Sequence, residues 1–160
     1  MKKLHIDAID AKITNILQED GRATLKEISK RVGLKPPSVL ERVKKLEREG
    51  VITGYLGLVN ARKLGFDITS FIGVNINHPK NITVFEKEIG RMGEEILECH
   101  HVTGDYTLLL KVKTHNTDTL RALIEEIRSI TGVVRTYTMV VFSTLKEDQR
   151  IPVKTGLLKK

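Results

Sequence analysis

A run of cationic side chains near the N-terminus is the clearest chemical feature of this sequence. Val39, Val43 and Leu46 recur every three or four residues, which is the spacing of one buried helix face. The opposite face carries polar and mostly basic groups, which bind phosphate oxygens and base edges. These groups predict a nucleic-acid-binding surface made of Lys35, Pro37, Ser38, Glu41, Arg42, Lys44, Lys45 and Arg48.

The position of a residue along this helix predicts whether its side chain contacts a base or a phosphate. Ser38 and Arg42 lie close enough to the helix N-terminus to reach base edges in a major groove. Lys35, together with the N-terminal amides of the helix, predicts a phosphate site. Further phosphate contacts, which position a protein without reading sequence, are expected from Lys44, Lys45 and Arg48. An ordinary three-helix bundle with a solvated basic face is the alternative interpretation.

The elements that position this surface are predicted from residues that start and stop helices. Thr24 and Glu27 have the spacing of a capping box, so a helix begins there. Gly33 ends that helix, and Pro36 and Pro37 fit only the first turn of the next one. Two helices that cross closely at such a short turn form a helix-turn-helix.

The rest of the chain alternates strand and helix patterns. Alternating apolar residues predict four strands, at residues 68–76, 96–103, 106–112 and 133–142. With a helix after the first and third strands, the order β-α-β-β-α-β is the ferredoxin-like arrangement. The predicted fold class is α+β, an N-terminal helix-turn-helix (winged-helix-like) domain plus a C-terminal ferredoxin-like βαββαβ domain. Between them we expect a short strand at residues 51–55 and one helical turn at residues 60–64.

The charge distribution also separates the two ends from the middle. Residues 1–60 carry twelve Lys/Arg against eight Asp/Glu, residues 61–145 carry ten of each, and residues 146–160 carry five against two. The net charge of +7 therefore belongs to the ends. A polyanion-binding head on a neutral body explains this distribution, and basic ends that only aid solubility explain it equally well.

Composition argues against several other classes of protein. No stretch reaches the roughly 18 consecutive apolar residues of a membrane span, so no membrane partner is expected. Asp7 and Asp10 interrupt what would be the apolar region of a signal peptide, which predicts a cytoplasmic protein. The single cysteine, Cys99, excludes an intrachain disulfide and a cysteine-cluster metal site. No nucleophile–base motif or phosphate loop is present.

Two sets of motifs resemble one protein family. The first set, within residues 7–55, consists of Asp7-x-x-Asp10-x-x-Ile13, Asp20-Gly21-Arg22, residues 28–34, Arg42-Val43-x-x-Leu46-Glu47-x-x-Gly50-Val51-Ile52 and Gly54-Tyr55. It resembles the Lrp/AsnC family of feast/famine regulators. The second set, Val102-Thr103-Gly104-Asp105-Tyr106, resembles the signature loop of that family's effector domain. The resemblance extends to about residue 145.

The resemblance implies a transcription regulator that binds double-stranded DNA sequence-specifically and responds to an amino acid, with no catalytic activity and no cofactor. It implies four parts: a helix-turn-helix DNA-binding domain (1–53), a hinge (54–65), an effector-binding and dimerisation domain (66–145) and a basic tail (146–160). Two positions depart from the family pattern. Lys35 stands where the family usually has Ser, which predicts a helix cap that is weaker or is replaced by a phosphate contact. Thr107 stands where Asp is common, which removes a charge from the loop.

The resemblance also implies an amino-acid site on the second domain. Backbone N–H groups at the Gly104 turn suit a carboxylate, and Asp105 is placed to accept from an ammonium. Thr136 and Thr138 share one face of the last strand and are placed to add hydroxyl groups from beside or across a subunit interface. From the residues alone, a plain hairpin turn is the preferred interpretation of Gly104-Asp105. The predicted effector-binding residues are Val102, Thr103, Gly104, Asp105, Tyr106, Thr107, Thr136 and Thr138.

Apolar residues on both faces of the predicted strands indicate that the sheet has a partner. Phe71 lies opposite Ile72, and Leu109 lies opposite Leu108, whereas two helices cover only one face. A second copy of the chain is the expected cover, which gives a homodimer. Effector binding between dimers implies a higher oligomer, such as an octamer.

Two other functions remain open on the sequence. Cys99, His100 and His101 suggest a metal site, but strand alternation turns His100 away from the other two, so no metal is predicted.

Siroheme decarboxylases share this two-domain architecture and use histidine in a pocket, which would give His100 and His101 a catalytic role. The basic helix face argues against that enzyme. A DNA-compacting architectural protein without ligand response is the other alternative.

Overall fold

The computed structural model describes residues 6–153, which form two compact units. The first unit runs through Leu58 and also takes in the chain from Glu147, whereas the second unit is Val59–Lys146. The expected hinge, residues 54–65, is thus divided between the two units. Of the expected basic tail, residues 146–160, Lys146 belongs to the second unit, and the described residues from Glu147 onwards belong to the first.

Three helices build the first unit, namely α1 (Ala8–Glu19), α2 (Leu25–Val32) and α3 (Pro36–Arg48). The predicted capping box at α2 is confirmed. The Thr24 hydroxyl accepts from the Glu27 N–H, and the Glu27 carboxylate accepts from the Thr24 N–H. Gly33 ends α2 at a φ of 74°, a left-handed conformation that favours glycine.

A small aliphatic core joins the three helices, and Ile13 and Leu46 are completely buried in it. The short strand predicted at residues 51–55 is wrong. Val51 and Ile52 instead donate their N–H groups to the Leu46 carbonyl, at 2.9 and 3.2 Å. Their side chains pack against the core. The segment therefore closes the end of α3, and its backbone groups are used there instead of in a strand pair.

The second unit contains one antiparallel sheet. Its elements in chain order are a 3-10 turn (Ala61–Leu64), β1 (Ile68–Ile76), α4 (Lys80–Ile89), β2 (Ile96–His101), β3 (Leu108–Thr114), α5 (Thr117–Ser129) and β4 (Val133–Val140). The strand order is β2-β3-β1-β4, and each neighbouring pair is antiparallel. The predicted βαββαβ order is confirmed. Residues 102–107 form a longer loop than expected, so Tyr106 lies before β3 and not within it.

Both helices of this unit pack on one face of the sheet. Ile72 and Val74 of β1 are completely buried there with Phe85 of α4 and Ile127 of α5. The other face also carries apolar side chains, as expected, and β1, β3 and β4 contribute to it Phe71, Leu109, Tyr137 and Met139. None of the helices within residues 6–153 is both long and apolar enough to cross a membrane.

Candidate functional site

The surface predicted to bind nucleic acid forms one groove along α3. The groove has a volume of about 660 Å³ and is lined by Asp7 and six of the predicted residues, Ser38, Glu41, Arg42, Lys44, Lys45 and Arg48. The other two predicted residues, Lys35 and Pro37, lie at the start of α3, outside this lining. The structure thus places the whole predicted set on one helix and gathers most of it in one groove.

The start of α3 has no side-chain cap. Lys35 occupies the N-cap position and makes no cap hydrogen bond, because an ammonium group has no acceptor. Pro36 and Pro37 fill the first helical positions, where a missing N–H breaks no helix bond. The missing cap hydrogen bond at Lys35 agrees with the weaker helix cap expected from the sequence. An exposed ammonium and the positive end of the helix dipole coincide at this point.

A network of ion pairs joins α3 to the start of α1. The Arg42 guanidinium lies 2.6 Å from Asp7 Oδ2 and 2.6 Å from Asp10 Oδ1, and Lys45 Nζ lies 3.0 Å from Asp10 Oδ2. The Asp10 side chain is completely buried, and a buried charge is costly unless it is paired. These contacts therefore hold α3 against α1.

The network also affects proton binding at its members. Hydrogen bonds to Asp7 and Asp10 raise the pKa of the Arg42 guanidinium. Burial raises the pKa of Asp7, but the Asp10 N–H and the Arg42 guanidinium together outweigh it, so the pKa of Asp7 lies below its usual value. The ion pairs at Asp7 and Arg42 are accordingly stable at neutral pH.

Arg42, which sequence alone assigns to a base contact, is engaged within the first unit. Two carboxylates engage its guanidinium, and only 29% of its side chain is exposed. The sequence alone did not identify Asp7 and Asp10 as partners of Arg42. Their spacing of three residues at a helix start was the available signal, because it places two carboxylates on one side of α1.

The loop predicted to bind an effector is well ordered by hydrogen bonds. Gly104 has a φ of 113°, so the predicted turn requires glycine there. The Val102 N–H donates to the Thr107 carbonyl at 3.2 Å, and the Thr107 N–H donates to the Val74 carbonyl at 3.0 Å. The Thr107 hydroxyl accepts from the Ile76 N–H at 3.1 Å. Thr107 thus anchors the loop to β1.

Asn75 of β1 is a polar residue at this loop that sequence analysis missed. Its side-chain N–H donates to the Asp105 carbonyl at 2.9 Å. Its Oδ1 atom is buried and accepts no hydrogen bond from any described residue. An unpaired buried acceptor beside a glycine turn suits a ligand with N–H groups. The sequence signal was weak, since one asparagine in an apolar strand has many explanations.

The eight predicted effector residues do not all come together within one chain. Tyr106 lies over Gly73, where an added Cβ would be 2.6 Å from the ring, and its ring centroid is 5.4 Å from that of Tyr137. Thr136 and Thr138 pair with Val74 and Ile72 of β1, so they belong to the face that carries the helices. Tyr106 is on the opposite face. The loop residues and the two threonines are thus separated by the sheet.

The Cys99, His100 and His101 cluster is divided between the faces of β2, as predicted. Cys99 and His101 pair with Leu110 and Leu108 on the helix-bearing face, and His100 pairs with Leu109 on the other. His100 Nε2 lies 3.1 Å from Glu98 Oε2. Burial, with a smaller contribution from the negative Glu86, raises the pKa of the Cys99 thiol, which makes it a poor nucleophile. The two histidines that an enzyme would use do not share a pocket.

Comparisons with known proteins agree with this arrangement. The model of the Lrp/AsnC ligand binding domain matches residues 69–151, and a winged helix-turn-helix DNA-binding model matches residues 6–53. The chain belongs to the Lrp/AsnC family. This Lrp/AsnC protein is 39% identical over 152 residues to the HTH-type transcriptional regulator FL11 of Pyrococcus abyssi, covering 95% of this chain and 99% of the relative.

Other proteins are similar to this chain over most of its length. The Leucine-responsive regulatory protein of Escherichia coli K12 is 40% identical over 153 residues, covering 94% of this chain and 93% of the relative. Among solved structures, a Neisseria meningitidis regulator in complex with L-Met superposes with a TM-score of 0.87 at 29% identity, covering 92% of this chain and 97% of that one. Escherichia coli AsnC superposes with a TM-score of 0.86 at 28% identity, covering 94% and 100%. The predicted fold class and family are thereby confirmed, and the chain is a DNA-binding transcription regulator.

The buried network predicts the outcome of a single substitution. Asp10→Asn should lower the free energy of unfolding of the first unit by about 3 kcal/mol, the low end for a broken buried ion pair, because its partners are partly exposed. Urea unfolding followed by circular dichroism measures this change. Glu41→Gln, which removes an exposed carboxylate from the same groove, should change it by less than about 0.5 kcal/mol. Equal effects of the two substitutions would show that the network does not hold α3.

Proposed function

We propose that this Lrp/AsnC protein binds specific DNA sequences and that an amino acid bound at subunit interfaces of the second unit modulates its affinity or assembly. The cationic groove on α3 is the observation that carries the proposal. The buried Asp10 carboxylate of α1 pairs with Arg42 and so holds α3 in place. A catalyst has no use for such a groove, so we infer a regulator and not an enzyme. A chromosomal target implies that it works in the cytoplasm.

Within the groove we assign base and phosphate contacts to different residues. Ser38 and Glu41 are exposed near the start of α3, the part of a recognition helix that enters the major groove. A serine hydroxyl bonds several bases, and a glutamate accepts from cytosine N4. Lys44 and Arg48 follow one turn apart and suit phosphates. With Arg42 bound to Asp7 and Asp10, we no longer assign it a base contact.

Salt dependence separates these roles. Lys44→Ala should weaken binding to all DNA sequences alike and reduce the log–log salt slope by about 0.9, because one phosphate contact is lost. Ser38→Ala should instead change the preference between sequences and leave the slope as it is. Fluorescence anisotropy with an operator fragment and a random duplex, at several salt concentrations, measures both. Binding that does not depend on salt would contradict the assignment of this groove to DNA.

The effector site that we propose is centred on the loop of residues 102–107. The carboxylate of an amino acid would accept from the backbone N–H groups at Gly104, and its ammonium would donate to Asp105 and to Asn75 Oδ1. Thr107 uses its hydroxyl on the Ile76 N–H and brings no charge, which favours a ligand with a neutral side chain. The complex of the Neisseria meningitidis regulator with L-Met supports this class of ligand.

A second subunit completes this site in our proposal. The sheet separates Thr136 and Thr138 from Tyr106, so the two threonines are not on the same face as the loop. We assign them to the effector site of a neighbouring subunit. An effector held between subunits alters assembly, since its binding energy depends on the contact between them.

Calorimetry with the common amino acids tests the loop. Gly104→Val and Asp105→Ala should each weaken binding by at least about tenfold, because a hydrogen bond to a charged group contributes about 1.5–3 kcal/mol. Asn75→Ala should weaken it as well. Asp118→Ala, which removes an exposed carboxylate at the start of α5, serves as the control and should bind like the wild type. If Gly104→Val and Asp105→Ala bind as tightly as the wild type, the site lies elsewhere. If no amino acid binds, an architectural role is favoured.

The face of the sheet that the helices leave open is the surface that we assign to the homodimer. Met139 on it is 43% exposed, and Tyr106 adds its ring beside Tyr137. Arg135 lies over the Tyr137 ring, 4.2 Å from its centroid. Aromatic residues, methionine and arginine together are typical of a subunit interface.

One exposed methionine provides a test of this interface. Met139→Glu should convert a dimer, or a larger assembly built from dimers, into monomers in sedimentation at micromolar concentration, because two carboxylates would be buried without partners. The control is Val84→Glu on the outer side of α4, where the apolar residue is similarly exposed at 40%. A Met139→Glu protein that sediments like the wild type would assign the dimer to another surface.

A further inference from the structure

The chain returns to its own first unit after leaving the second. Residues 151–153, which we call the strap, lie along α1 and are bound by two amide side chains. Asn15 donates to the Val153 carbonyl at 3.0 Å and accepts from the Val153 N–H at 3.1 Å. Gln18 donates to the Ile151 carbonyl at 2.8 Å and accepts from the Ile151 N–H at 2.7 Å. Four hydrogen bonds therefore connect two side chains to two backbone units.

The sequence of the strap suits this contact. Asn15 and Gln18 are three residues apart and so share one side of α1, while residues 151 and 153 of an extended chain face the same way. Pro152 between them favours an extended Ile151 and has no N–H that would need a partner. Ile151 is 74% exposed, so its backbone and not its side chain holds it on α1, whereas Val153 is partly buried.

The segment before the strap is also ordered locally. The Asp148 carboxylate accepts from the Arg150 backbone N–H at 3.0 Å and from its guanidinium at 2.9 Å. This turn directs the chain into the strap. Only residues 141–150 separate β4 from the strap, and ten residues span at most about 35 Å.

We propose that the strap is a second tether between the two units, and that docking on Asn15 and Gln18 limits the positions that the DNA-binding unit can take. The first tether is the chain through Leu58 and Val59. One flexible connection leaves a domain free to reorient, whereas a second connection, here from the C-terminal end of β4, removes much of that freedom. The docking surface on α1 thus has a defined occupant, the chain's own C-terminal segment.

Docking itself is tested by hydrogen exchange on the full chain. The amides of Ile151 and Val153 should exchange at least about tenfold more slowly than an unstructured peptide, because both donate to side chains. Asn15→Ala/Gln18→Ala should remove this protection without loss of α1, since alanine favours helix. Lys12→Ala, at an exposed position on the same helix, should retain it. Unprotected amides at residues 151 and 153 in the wild type would overturn the proposal.

Tethering is tested by the distance between the units. Spin labels at Lys26→Cys and Lys87→Cys, both exposed, in a Cys99→Ser background report it by pulsed electron resonance. Dilution with unlabelled chain removes distances between subunits. The distribution of label-to-label distances should be narrow in the chain that carries only the two labels and Cys99→Ser. It should be clearly broader when Asn15→Ala/Gln18→Ala is added. A chain ending at Val153 keeps the strap, loses three lysines and should keep the narrow distribution. Equal widths with and without the amides would overturn the tether.

A consequence for DNA, which rests on the proposed function, can be measured separately. The tethered protein should prefer half-sites at one spacing and lose affinity when they are shifted by half a helical turn, about 5 base pairs. The Asn15→Ala/Gln18→Ala protein should lose less affinity on this shift. Absence of wild-type binding to any DNA would contradict the proposed function, whereas the label distances would still decide the tether. Equal losses in both proteins, with normal binding, would contradict the strap's effect on DNA.

Discussion

The buried carboxylate of Asp10 is the constraint on which the DNA-binding unit depends. A charge without solvent must be paired, and both cations that pair with it, Arg42 and Lys45, come from α3. Two contacts from successive turns fix the rotation of α3 about its axis as well as its distance from α1. Because all of the groove's lining residues except Asp7 belong to that helix, the same contacts orient Ser38 and Lys44. A groove that reads DNA needs such fixed positions.

In the second unit the corresponding constraint is steric. Gly73 leaves room for the Tyr106 ring, since a Cβ there would approach it to 2.6 Å. The ring therefore lies on the open face of the sheet, although Tyr106 belongs to the loop at the sheet's end. One residue thus contributes to both the loop assigned to the effector and the face assigned to the dimer. A ligand at Gly104 and a subunit on Tyr137 would contact neighbouring atoms, which gives assembly a direct physical connection to ligand binding.

Local signals predicted most of the fold, and contacts between distant residues account for what was missed. The capping box at Thr24 and the left-handed Gly33 depend only on residues a few positions away. From the sequence, the Arg42 side chain looked free to contact a base, because its carboxylate partners lie more than thirty residues earlier in the chain. The face of Thr136 could not be predicted without the register between β1 and β4. From the sequence, Asn15 looked like an ordinary surface residue, since its hydrogen-bond partner Val153 is 138 residues away.

The ion-pair network also changes the meaning of the charge distribution. The network around Asp10 uses two cations of α3 internally, so the field of the first unit depends on its remaining basic residues. By sequence, residues 1–58 and 147–160 together carry sixteen Lys/Arg against ten Asp/Glu, or +6 of the total +7. In our assignment Lys44 and Arg48 lie outside that network, so their charges remain to attract a polyanion over about a Debye length.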